Sequence, residues 1–126
     1  MTLPFQIEFD DRKDYAYARI SAPAIDRQMA FAYLAEIVEK CAELRQKKLL
    51  LERDIPALMS DSDMNAALKA LLSMGSGMKI AIVNLHPELG NALKRAIDLA
   101  CADRVDCKYF DDSGEAESWL LASTGS

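Results

Sequence analysis

A chain of 126 residues with 51% hydrophobic and 28% charged side chains has the size and composition of one globular domain spanning 1–126, which excludes a disordered or low-complexity polypeptide. Its net charge of −5, with basic residues scattered apart from Arg45, Lys47 and Lys48, argues against a nucleic-acid binder, because affinity for phosphate backbones comes from clustered Lys and Arg. No run approaches 18 consecutive apolar residues and residues 1–10 lack the profile of a signal peptide, so the expectation is a cytoplasmic protein that is not integral to a membrane.

Leu3, Phe5, Ile7 and Phe9 alternate with polar neighbours, which predicts a strand over Thr2 to Phe9 with one buried face. The charged cluster from Asp10 to Asp14 reads as a turn. Tyr15 to Ile20 alternates again, so the two strands form an antiparallel hairpin. Beyond Pro23, Asp26 is placed to cap a long helix with Met29, Tyr33, Leu34, Ile37, Val38, Cys41 and Leu44 on its apolar side. Leu49 to Leu51 is a short buried strand that ends in charge at Glu52, Arg53 and Asp54. Ser60 with Asp63 three residues on marks the next helix start, with Met59 and Met64 at the positions of a hydrophobic staple. That helix stops at Gly75 or Gly77, and Gly75-Ser76-Gly77 precedes a strand, the reverse of a phosphate loop.

Met78 to Val83 is the clearest buried strand. Asn84-Leu85-His86-Pro87 leads into a helix bearing Leu93, Ile97 and Cys101, and Gly90 near its start signals a close contact. Val105 to Phe110 is the last strand, and Asp112 with Glu115 opens the last helix. Three cysteines, Cys41, Cys101 and Cys107, include no Cys-x-x-Cys pair and read as buried thiols of a reducing compartment. No motif asks for a cofactor or a structural metal.

Strand-helix alternation of this kind gives an α/β fold with a mixed, mostly parallel sheet of four or five strands, an N-terminal hairpin and about four helices. In such sheets ligands bind beyond the carboxyl ends of the parallel strands. That rule gathers Ser21 to Pro23, Glu52 to Asp63, Asn84 to Pro87 and Asp111 to Ser113 into one candidate rim. Asp54, Ser60, Asp61, Ser62, Met64, Asn84, His86 and Asp111 are its candidate binding residues. Asp54, Asp111 and Asp112 with His86 are oxygen and nitrogen donors for a divalent cation, but their spacing matches no metal signature. His86 has the chemistry of a general base, with Ser60, Ser62 or Ser113 as its nucleophile, yet no Gly-x-Ser-x-Gly elbow stands behind one. No residue is therefore assigned a catalytic role.

The element order, together with the ending Lys108-Tyr109-Phe110-Asp111-Asp112-Ser113-Gly114-Glu115-Ala116-Glu117-Ser118-Trp119-Leu120, resembles the STAS superfamily, and most closely stand-alone bacterial STAS-like (SpoIIAA-like) proteins. The resemblance implies a non-enzymatic regulatory module that binds a protein or small ligand. In the antagonist branch a Ser of an Asp-Ser-Ser-Gly or Asp-Ser-Thr-Gly motif is phosphorylated. Asp61-Ser62 matches its first two positions, which makes Ser62 the phosphorylation candidate, and Asp63-Met64 departs from the rest. Two further readings stand beside the regulatory one. A carrier of a small apolar molecule or lipid would use Met29, Met59, Met64, Met74 and Met78 as adaptable walls. A small hydrolase would be built on His86. The edge strand also offers backbone groups that a second copy could pair with to form a homodimer.

Overall fold

Strand and helix follow one another as β1 (Gln6–Asp11), β2 (Ala16–Ser21), α1 (Arg27–Glu43), β3 (Lys48–Asp54), α2 (Asp61–Met74), β4 (Lys79–Asn84), α3 (Gly90–Ala100), β5 (Cys107–Phe110) and α4 (Ser113–Leu121). This is the arrangement in a computed structural model that describes residues 5–101 and 106–122. The five strands lie in the order β1-β2-β3-β4-β5, antiparallel only between β1 and β2. The expected hairpin, mostly parallel sheet and four helices are all present.

Right-handed crossovers in a sheet that grows steadily from β2 to β5 must all fall on the same face. Accordingly α1, α2 and α3 bury Ile37, Leu71 and Ile97 together against Ala18, Leu51 and Ile82 of the sheet. Ala18, Leu51, Ile82 and Tyr109 stand side by side across four strands in this layer. The neighbouring row, which holds Leu50 and Ala81, points the other way because strand side chains alternate. Following the last strand, α4 is under no crossover constraint, and it covers that second face with Ala116 and Leu120. No described helix is long and apolar enough to cross a membrane.

The boundaries depart from the sequence pattern in instructive ways. β1 continues through Asp10 and Asp11, which pair with Tyr17 and Ala16. Backbone pairing at a sheet edge leaves those acids in water, so charge does not end the strand, and the turn contracts around Lys13 at φ 71°. Thr2, Leu3 and Val105 lie outside the described residues. β3 likewise runs on through Glu52, Arg53 and Asp54, because a central strand is held by ladders on both sides. A 3-10 turn, Pro87–Leu89, precedes α3, so Pro87 begins that turn and Gly90 begins the helix. The close contact expected at Gly90 is observed: a Cβ there would meet the Tyr109 hydroxyl at 3.2 Å. Gly75 caps α2, while Gly77, at φ 85°, makes the turn into β4.

Candidate functional site

The carboxyl ends of β2 to β5 form the rim, and a continuous chain of hydrogen bonds runs along it. Asp54, the last residue of β3, accepts from Arg19 Nη2 at 2.9 Å and Ser21 Oγ at 3.5 Å on β2, and lies 2.8 Å from His86 Nε2 beyond β4. The bond to Arg19, and after it the bond to His86, holds the Asp54 carboxyl below the usual carboxylate range. The backbone N–H of His86 donates to Asn84 Oδ1, and Asn84 Nδ2 donates to the His86 carbonyl at 2.7 Å and to the Tyr109 hydroxyl at 3.3 Å. Tyr109 in turn donates to Asp111 Oδ1 at 2.5 Å. Asp54, His86, Asn84 and Asp111 are thus joined, through a tyrosine that the sequence pattern marked only as a strand residue.

A second set of bonds faces α4. Glu52 accepts from the hydroxyl of Tyr17 and, at 2.5 Å, from that of Ser113 at the start of α4. Burial and the adjacent Glu52 push the Tyr17 phenol up to about 12. Asp112 caps α4 by accepting from Glu115 N at 3.1 Å. Among the described residues no group of three or more His, Cys, Asp or Glu is placed to hold a metal ion. The imidazole of His86 lies between carboxylates, Asp54 on one side and Glu88 at 3.5 Å on the other, while Ser60 is bonded to Asp63 N, Ser113 to Glu52, and the Ser21 hydroxyl to Asp54 and not to the imidazole. The rim is therefore an internally compensated polar surface, with its acids already engaged by tyrosine, serine, arginine and histidine.

The remaining candidates lie on α2 and its approach, outside this network. Ser60 accepts from Asp63 N at 3.1 Å as the N-cap of α2, while Asp61 and Ser62 are exposed on its first turn. Asp61 borders a groove between α2 and α3 whose wall includes Leu99, 73% exposed. Met64 points the other way. It is buried, so a surface partner cannot reach it, and it lines a cavity of about 50 Å³ between α1, α2, α3 and the sheet. About 10–15 Å³ of such space seats one water, so the gap is several waters in size. Met59, Met64, Leu68, Leu71 and Ile97 supply apolar walls. Of the methionines expected to form an adaptable lining, Met59 and Met64 do so, whereas Met78 packs within the main core, Met29 packs half-buried against it and Met74 is exposed.

One charged side chain borders this cavity, and the sequence reading passed over it. Arg53 is 7% exposed, donates from Nη1 to the Ile55 carbonyl at 2.9 Å and from Nη2 to the Ala57 carbonyl at 2.6 Å, and has the Tyr33 phenol beside it. Burial lowers the Arg53 pKa from its ordinary value, an effect Tyr33 partly offsets. The signal was available. Continuing the period-2 alternation of Leu49 and Leu51 one step further puts residue 53 on the same apolar face, but three consecutive charges read as the end of the strand.

No protein-family model matches the chain. No curated protein matches it either. Among solved structures it is similar to an uncharacterised protein of the DUF3478 family with a SpoIIAA-like fold from Shewanella loihica, with a TM-score of 0.59 and 19% sequence identity over 96% of this chain and 98% of that one. The fold is SpoIIAA-like, as the sequence resemblance led one to expect.

Proposed function

We propose that this SpoIIAA-like domain is a non-catalytic binding module that holds a small, largely apolar molecule between α1, α2, α3 and the sheet. The cavity carries this reading: its walls are mostly apolar, a setting that accepts apolar guests, and methionine walls adapt to the guest's shape. Half-buried Met59 and Leu68 form the side through which a guest would enter and widen the gap. The rim supports a binding role over a hydrolytic one, since the candidate nucleophiles Ser60 and Ser113 are bonded to Asp63 N and to Glu52 and not to His86. A reducing cytoplasm suits the buried thiol of Cys41. Native mass spectrometry of freshly purified protein is expected to show a retained small molecule, and 1-octanol is expected to raise Tm in the wild type and not in Ala67→Leu, which fills the cavity. Absence of both effects in the wild type ends this reading.

A regulatory role through a protein partner on the first turn of α2 is the second reading, favoured by the exposure of Ser62 and of Asp61, which shares a groove with exposed Leu99. A phosphate on Ser62 would gain from the helix N-terminus and be opposed by Asp61 and Asp63. Affinity capture with wild type, Ser62→Asp and Leu99→Glu tests it. The same proteins retained at the same level by all three would dispose of the idea.

A further inference from the structure

We infer that the molecule held in the cavity carries an anionic head, a carboxylate on a short apolar body, and that Arg53 receives it; this rests on the binding reading above. A buried guanidinium is costly unless an opposite charge accompanies it. Among the described residues no Asp or Glu pairs with Arg53. The nearest acids along the chain, Glu52 and Asp54, project from the opposite face of β3, where they are bonded to Tyr17 and Ser113 and to Arg19 and His86. Neither can swing through the sheet to reach it.

The carbonyl bonds to Ile55 and Ala57 explain part of the arrangement, since they clip the approach to α2 in place. They do not explain the charge, because a neutral donor would hold the same carbonyls without the cost of burying a cation. A guanidinium has five N–H donors in a planar fork that matches two carboxylate oxygens; the Ile55 and Ala57 carbonyls take two of them and the adjacent Tyr33 phenol is a partner for another, which leaves the rest for a head group. The position is also the expected one. Arg53 stands at the carboxyl end of β3, between Ile20 and Asn84 of the flanking strands, where ligand crevices of parallel sheets lie. A head group bonded there would have its apolar body against Met59, Met64 and Leu71.

The test compares probes of equal chain length by calorimetric titration of the full chain: octanoate, 1-octanol and octylamine. Octanoate is expected to bind about tenfold more tightly than 1-octanol, as a charge-assisted pair of hydrogen bonds would provide, with octylamine weakest. Arg53→Gln is expected to keep the octanol affinity and lose the octanoate preference. Ala67→Leu is expected to bind neither. Equal affinity for octanoate and octanol in the wild type overturns the anionic head and leaves the apolar cavity standing, whereas no binding of any probe overturns both readings. Octanoate bound as well by Ala67→Leu as by wild type also overturns the inference, since the site then lies elsewhere. Should Arg53→Gln fail to fold, the wild-type comparison decides alone.

Discussion

Asp54 shows how one side chain sets the character of the rim. Three donors from two neighbouring segments converge on it, and the foremost, Arg19, favours its charged form. A depressed carboxyl pKa stabilises the fold at pH above the unfolded value, and the contribution disappears as pH falls through the depressed folded value. With about a third of the side chain exposed, at 32%, solvent screening keeps the effect small. Asp54→Asn is therefore expected to cost up to about 1 kcal/mol at neutral pH. Urea denaturation should show the two proteins converging in stability at pH below the folded value. A gap that stays constant into strong acid would mean that packing, and not charge, is what Asp54 contributes.

At the level of single elements, α2 was the most legible part of the chain and β3 the least. Ser60 and Asp63 announced the helix start because a cap is a local interaction, fixed by residues three apart, and the observed bond is the one their spacing implies. The end of β3 is fixed by partners more than thirty residues away on both sides, which no window of sequence contains. The same division holds for the site. The rim's position followed from strand order alone, but the bonds of Asp54 to His86 and of Glu52 to Ser113 join segments far apart in the chain. A cap and a phosphorylation site also separate cleanly by mutation. Ser60→Ala should cost about 1 kcal/mol in denaturant unfolding, whereas Ser62→Ala, at an exposed helical position, should change stability by less than about 0.5 kcal/mol. The reverse ranking would show that the helix begins differently from the bond pattern described.

Across the whole molecule the two faces of the sheet are unequal, and that inequality follows from topology. Three crossover helices share one face and line the cavity, while α4 alone shields Leu50, Val83 and Phe110 on the other. The free edge of β1 presents exposed Glu8, Asp10 and Asp11, charges that discourage a second copy from pairing there at neutral pH. The helix α4 is latched by side chains from β3, from β4 and from the turn before β2. The Tyr15 hydroxyl donates to Glu117 at 2.5 Å, Lys79 Nζ to the Trp119 carbonyl at 2.6 Å, and Ser113 to Glu52. Its apolar anchor is Leu120, which is fully buried. Leu120→Ala should therefore cost about 2–5 kcal/mol, the range for emptying a buried leucine site. Because the cavity lies on the far side of the sheet and shares no wall with α4, distant sites should act independently. The octanol affinity of folded Leu120→Ala should match the wild type, measured at a temperature where both remain native. If affinity falls together with stability, the sheet transmits packing from one face to the other, and α4 belongs to the binding device as well as to the fold.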